Sequence, residues 1–180
     1  KIEASATVMA ISNPTVAAVN QVNITCFGAN NGSVKLKGSG GSGSGYTYSK
    51  DGVTYSIVDT FNGLTPGLHT FYVKDGKECP AQVDVTILEP SALTTTASAA
   101  PFSCNPTTNA KQSTTVTIVP PTTGTAPYEY SFNGTSYDAL IKTLTVHDNG
   151  SDQVITFYVR DKNLCVYSNT VTIAKLNPPV

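Results

Sequence analysis

The chain has 180 residues, a length that suits one large domain or two small ones. Its 11 Lys and Arg residues are balanced by 12 Asp and Glu residues, for a formal net charge of -1. This balance argues against a nucleic-acid partner, which needs a concentrated basic surface. Hydrophobic residues make up 39% of the chain, enough for packed cores, and no apolar run approaches the ~20 residues of a membrane helix.

Strand patterns dominate the first half of the chain. Apolar and polar residues alternate there in short segments, which places one row of side chains in a core and the other in water. These segments are residues 33–37, 69–73 and 82–87. Residues 38–45 are all Gly or Ser. We interpret this run as a mobile loop and not as a phosphate cradle, because neither a Lys-Ser/Thr pair nor a helix follows it.

The second half continues in the same style. Residues 114–119 and 169–173 alternate, and a stiffer, Pro-containing run over 120–127 replaces the Gly-Ser run. No helical period longer than two turns is present in either half. The pattern predicts an all-β protein.

An internal repeat relates the two halves. Residues 70–75 (Thr-Phe-Tyr-Val-Lys-Asp) recur 86 residues later as 156–161 (Thr-Phe-Tyr-Val-Arg-Asp), and the same offset carries Cys79 onto Cys165. Upstream the offset is smaller, since Cys26 recurs 78 residues later as Cys104. A growing offset indicates loop insertions in the second copy, and the ordered matches indicate a duplication.

Two tandem immunoglobulin-like β-sandwich domains are therefore predicted, over residues 14–90 and 91–178, each with roughly six or seven strands. A single solenoid is the competing interpretation, but a period of ~80 residues is too long for most solenoid repeats. Residues 1–13 resemble the last strand or linker of a preceding repeat, so we expect the chain to be cut from a longer array. The Pro residues at the junctions favour a semi-rigid rod.

The four cysteines allow three pairings. The repeat favours one disulfide within each copy, Cys26 with Cys79 and Cys104 with Cys165. Loops of this length would stabilise each domain by roughly 4 kcal/mol, and disulfides would place the chain outside the cytoplasm. The alternative is four buried free thiols in a cytosolic protein.

The search for chemistry finds no catalytic constellation. His69 and His147 do not correspond under the repeat, and the sequence contains no H-E-x-x-H, G-x-S-x-G or P-loop motif. We expect no enzymatic activity, no catalytic residue and no required cofactor.

Two tyrosine pairs are the main candidates for a ligand-binding surface. Tyr46 with Tyr48, and Tyr128 with Tyr130, are two residues apart and so face the same side of a strand. Each pair is either a stacking platform for sugar rings or part of the core with its hydroxyl groups at the rim.

Asp75 and Asp161 occupy matched positions at strand ends. With Glu78, Asp51 or Asn31 nearby, they would supply oxygen ligands for Ca²⁺. The alternative is an Asx turn that ends the strand.

The first copy resembles a known repeat. It contains Cys26, then Asn31-Gly32-Ser33, the Gly-rich run, Tyr46-Thr47-Tyr48 and Leu64-Thr65-Pro66-Gly67, and it continues through a Val-x-Asp strand end, Cys79 and Ile87-Leu88-Glu89-Pro90. This order is similar to that of the SprB-type repeat of cell-surface gliding adhesins of Bacteroidota, over residues 22–90. The second copy lacks Asn-Gly-Ser after Cys104 and Leu-x-x-Gly before Thr156.

The resemblance implies a non-enzymatic segment of a large surface adhesin, exported by a type IX secretion system and associated with the outer membrane. Its implied partners are neighbouring repeats of the same chain, a polysaccharide or solid substratum, and the gliding and secretion machinery. The alternative function, drawn from the tyrosine rows, is a carbohydrate-binding module of a secreted enzyme.

Overall fold

The structure is a computed structural model that describes residues 12–176. This part of the chain contains twelve β-strands and no helix, which confirms the all-β prediction. The interpretation of residues 1–13 falls almost wholly outside the described residues, as does Pro178. The strands are β1 (Pro14–Val22), β2 (Gly32–Gly40), β3 (Thr47–Ser49), β4 (Thr60–Leu64), β5 (Gly67–Lys74), β6 (Pro80–Ile87), β7 (Ala97–Ala99), β8 (Thr114–Ile118), β9 (Glu129–Ser131), β10 (Thr143–Val146), β11 (Gln153–Arg160) and β12 (Val166–Ile173).

The chain divides into two compact units between Glu89 and Pro90. The first unit has two three-stranded antiparallel sheets with strand orders β1-β2-β4 and β3-β5-β6. Strand β5 pairs with β6 without interruption, from Gly67 opposite Ile87 to Lys74 opposite Pro80.

The core of the first unit is built from the inward rows of both sheets. Val34 and Leu36 of β2 and Phe71 and Val73 of β5 are all at most 1% exposed. They belong to one apolar cluster together with residues of β3, β4 and β6, so the two sheets pack face to face as a sandwich.

The second unit repeats this plan. Its sheets have strand orders β10-β8-β7 and β12-β11-β9, so the strands correspond one to one with those of the first unit. Val116 of β8 and Phe157 and Val159 of β11 are each at most 1% exposed, at positions that match the core of the first unit.

Strand β1 is absent from the sequence-based prediction, in which Pro14 is one of the Pro residues at the junctions between repeats. Pro14 is the first residue of this strand, a position that tolerates a missing N–H. Most of β1 is exposed, and its register with β2 shifts between Ala18 and Asn20. An exposed strand with a bulge lacks the clean alternation that identifies the other strands.

The Gly-Ser run is also more ordered than predicted. Strand β2 extends through Gly40, so the first three residues of the run are strand. The remainder connects β2 to β3 and is held by hydrogen bonds to the β5–β6 turn, described below.

Candidate functional site

The predicted disulfide within the first unit is wrong. Cys26 lies in the loop after β1, beside the end of β6, because Ile24 N–H donates to Leu88 O at 3.0 Å and Gly28 N–H donates to Glu89 Oε1 at 2.6 Å. Cys79 immediately precedes the first residue of β6. Eight strand residues at ~3.3 Å each separate the two by roughly 25 Å, whereas a disulfide needs Cα atoms within about 7 Å.

The second unit shows the same separation. Cys104 follows Phe102, which packs against Ile173 at the end of β12. Cys165 immediately precedes Val166 at the start of β12. The predicted pairing of Cys104 with Cys165 is therefore wrong for the same reason.

The oxidation states agree with these positions. Cys26 and Cys165 are disulfide-bonded, whereas Cys79 and Cys104 are free thiols. Neither unit joins its own two cysteines, and four buried free thiols are not found either. The repeat identified the equivalent cysteines correctly, but equivalence does not show which ones are neighbours in space.

The tyrosine pair of the first unit belongs to the core and its rim. Tyr48 is 9% exposed and its hydroxyl accepts a hydrogen bond from Gly38 N–H at 3.0 Å. Tyr46 packs against the same core, and its hydroxyl donates to Gly40 O at 2.6 Å. Gly38 has no side chain to displace, which lets the Tyr46 ring lie directly against its backbone.

The second pair behaves in the same way. Tyr130 is 3% exposed, and Tyr128 packs against the core and donates its hydroxyl to Thr123 O at 3.0 Å. With one ring of each pair buried, neither row forms a flat platform on which a sugar ring could stack. The burial of Tyr48 and Tyr130 favours the core interpretation over a stacking platform for sugar rings.

Asp75 is 1% exposed and connects the β2–β3 loop to the β5–β6 turn. Its Oδ2 accepts a hydrogen bond from Ser42 N–H at 2.7 Å, and its Oδ1 accepts bonds from Lys77 N–H and Cys79 N–H, both at 2.9 Å. These bonds, with that from Ser42 as the largest contribution, lower the pKa of Asp75 below its ordinary value of 3.8. We call this arrangement the Asp75 anchor.

The equivalent Asp161 anchor holds the second unit. Asp161 is 5% exposed, its Oδ2 accepts a bond from Thr125 N–H at 3.0 Å, and its Oδ1 accepts bonds from Asn163 N–H and Cys165 N–H at 2.8 and 3.0 Å. The loop that it holds is the Pro-containing run, which has no sequence similarity to the Gly-Ser run. The carboxylate, and not the loop sequence, is what the two units share.

These contacts assign the carboxylates a structural role. Their oxygens point at N–H donors, whereas a Ca²⁺ site needs several oxygens converging on one point. Asp51 is engaged elsewhere, in the turn after β3, and residues 12–176 contain no cluster of three or more His, Cys, Asp or Glu side chains arranged for a metal.

A groove of about 460 Å³ lies beside β3 and β4 in the first unit and is lined by Tyr48, Asp51 and Phe61, among others. Sequence analysis gave no indication of it. Hydrogen bonds from the Ser49 hydroxyl, Thr54 N–H and Val53 N–H, in that order, lower the pKa of Asp51 to about 2. Asp51 is therefore an anion at neutral pH whose oxygens hold its own turn, and it is poorly suited to act as a general acid or base.

The Asp51 turn is itself duplicated. Ser49 and Ser131 are both buried, and their hydroxyls accept hydrogen bonds from the backbone of Gly52 and Gly134 respectively. The sequence did not predict this structural role for either serine, although each directly follows a Tyr-x-Tyr pair. Their shared environment shows how closely the two units correspond.

Residues 18–54 match the SprB repeat family. The resemblance stated from the sequence is thus confirmed for this segment, which runs from within β1 through β3 to the turn after it. The SprB repeat segment contains Cys26, the Gly-Ser run and the Tyr46–Tyr48 pair, and it ends before the region around Cys79.

The SprB repeat is typical of cell-surface proteins, which is consistent with an extracellular region. No curated protein matches the chain. Among residues 12–176 there is no helix with the length and apolar character needed to cross a bilayer.

Proposed function

We propose that the chain is a non-enzymatic segment of a large, repetitive cell-surface adhesin, in which it acts as a semi-rigid spacer with weak surface contacts. The observation that carries the proposal is an SprB repeat within a unit whose strand order recurs in the second unit. Repetition of small sandwiches extends a protein away from the cell, and many weak contacts add up to strong attachment through avidity.

The strand order supports an immunoglobulin-like assignment for both units. In an immunoglobulin sandwich, strands A, B and E share one sheet and strands C, F and G form the other. Taking β1 to β6 as A, B, C, E, F and G reproduces both sheets of the first unit, and β7 to β12 reproduce those of the second. Each unit then lacks only strand D.

A spacer role also fits the chemistry of the polar residues that occur at equivalent positions in the two units. Outside the core, the buried polar residues that the two units share hold loops in place: an aspartate that accepts backbone N–H bonds, and a serine that organises a turn. None of these groups is presented to a substrate. In this role the chain needs no cofactor and has no catalytic residue.

The proposed setting is the outside of the outer membrane, with export by a type IX secretion system and a role in surface adhesion and gliding. The partners are then neighbouring repeats, a polysaccharide or solid substratum, and the gliding machinery. These points rest on the SprB resemblance.

Antibodies raised against the chain test the proposal on cells that produce the parent protein. We expect labelling of intact cells without permeabilisation, and we expect monovalent antibody fragments to reduce attachment of the cells to glass or polysaccharide. An antibody against a cytoplasmic protein serves as the control for cell integrity. Labelling that requires permeabilisation would contradict the surface assignment, and unchanged attachment would contradict the adhesive role.

A further inference from the structure

The cysteines occupy two kinds of position, one at each end of a unit. We call the end where the first strand begins the entry pole and the end where the last strand finishes the exit pole. Cys79 lies at the entry pole of the first unit, because the Asp75 anchor beside it is close to Gly41 and Pro14 at the start of β1. Cys26 lies at the exit pole, hydrogen-bonded through its loop to Leu88 and Glu89.

The second unit has the same arrangement. Cys165 lies at the entry pole, because the Asp161 anchor beside it is close to Gly124, which in turn lies against Leu93 just before β7. Cys104 lies at the exit pole, two residues after Phe102, which packs on Ile173. Each unit therefore carries one entry cysteine and one exit cysteine.

Disulfide-bonded and free cysteines are found at both kinds of pole. The two disulfide-bonded cysteines are one exit cysteine, Cys26, and one entry cysteine, Cys165. The two free thiols are also one of each kind, the entry cysteine Cys79 and the exit cysteine Cys104. Each free thiol thus has an equivalent in the other unit that is oxidised, so its position is compatible with a disulfide.

Neither free thiol has a partner available within its own unit, because the opposite pole is a full strand length away. In any head-to-tail array of such units, the chain leaves one unit at its exit pole and enters the next at its entry pole. Along such an array, each exit cysteine is therefore followed by the entry cysteine of the next unit, and this is the pair that the proposal joins. Cys104 is exposed and Cys79 is partly exposed, so both can be reached from outside the unit.

We propose that Cys79 and Cys104 form disulfides with the flanking repeats: Cys79 with the exit cysteine of the repeat before it, and Cys104 with the entry cysteine of the repeat after it. This inference rests on the proposed function, since it requires a longer array. Each bond forms by thiol–disulfide exchange, in which two thiols lose two protons and two electrons to a low-molecular-weight disulfide, which becomes two thiols. The result is a covalent clamp at each joint, which limits bending of the rod.

A second copy of the chain serves as the probe for this pairing. The chain is incubated at high concentration with a mixture of oxidised and reduced glutathione and separated on a non-reducing gel. We expect a ladder of oligomers linked from Cys79 of one molecule to Cys104 of the next. Peptide mapping by mass spectrometry should show this mixed link in about tenfold excess over either symmetric link, where random pairing gives only a twofold excess.

Single substitutions provide the matched controls. Cys79→Ser and Cys104→Ser leave Cys26 and Cys165 intact, and each alone should prevent the ladder; mixing the two variants should restore a dimer. Absence of oligomers, or symmetric links at the random ratio, would overturn the proposal. This readout is made on the purified chain, so its failure is distinguishable from failure of the surface assignment, which is read on cells.

Discussion

Replacing Asp161 tests how much the anchor contributes to the second unit. In Asp161→Asn the amide oxygen can still accept the bonds from Asn163 and Cys165, but the amide NH₂ then faces Thr125 N–H, so this partly buried donor loses its acceptor and the buried charge is lost. We expect a loss of about 2 kcal/mol, because a hydrogen bond to a charged group contributes ~1.5–3 kcal/mol. Asp161→Ala removes all three bonds and should cost about 3–5 kcal/mol.

Differential scanning calorimetry measures the effect of these substitutions on the melting temperature of the second unit. A domain of 60–100 residues shifts its melting temperature by roughly 4–8 °C per kcal/mol, so Asp161→Asn should lower the transition of the second unit by roughly 8–16 °C and leave that of the first in place. Asp138→Asn is the control, because Asp138 is exposed and accepts only one backbone bond, from Leu140 N–H at 2.7 Å. An Asp161→Asn transition that moves no further than the control would refute the anchor.

Two further predictions concern the first unit. Tyr48→Phe removes the acceptor of the buried Gly38 N–H and should destabilise this unit by about 1–3 kcal/mol in urea unfolding, whereas Tyr46→Phe, whose bond lies at the exposed rim, should cost less than about 1 kcal/mol; equal effects would contradict the difference in burial. The pKa values of Asp51 and Asp75 are lowered in the folded state, so the stability that they confer is present above pH 3.8 and is lost as the pH falls, towards about 2 for Asp51. Melting temperatures measured across this range should fall with acid, and a flat profile would contradict the assignment.

Alternation predicted the strands with one buried row, such as β2, β5 and β8, because burial of one face imposes a period of two on the sequence. It missed β1, whose residues are mostly exposed and whose register is interrupted by a bulge. A strand held mainly by backbone hydrogen bonds leaves little trace in its side chains.

The cysteine pairing was predicted wrongly for a related reason. The repeat shows that Cys26 corresponds to Cys104 and Cys79 to Cys165, but it contains no information on which pole of the sandwich each occupies. That depends on the direction of β6 and β12, which separate the two cysteines of each unit. A count of the residues in that last strand would have excluded the pairing.

The roles of the aspartates and tyrosines were left open because both residue types suit two environments. Tyr48 has an apolar ring and a polar end, so its place in the core depends on the backbone donor at Gly38 that meets its hydroxyl. Asp75 accepts hydrogen bonds from three backbone N–H groups. Two of these groups are close in sequence, but the third, Ser42 N–H, is 33 residues away, so the three donors come together only in the folded chain.

The most direct test of the account is a disulfide map of the purified chain, alkylated under denaturing, non-reducing conditions and digested for mass spectrometry. The account predicts that Cys79 and Cys104 are alkylated and that Cys26 and Cys165 are protected until a reductant is added. A peptide joining Cys26 to Cys79, or Cys104 to Cys165, would contradict the placement of the cysteines at opposite poles of each unit.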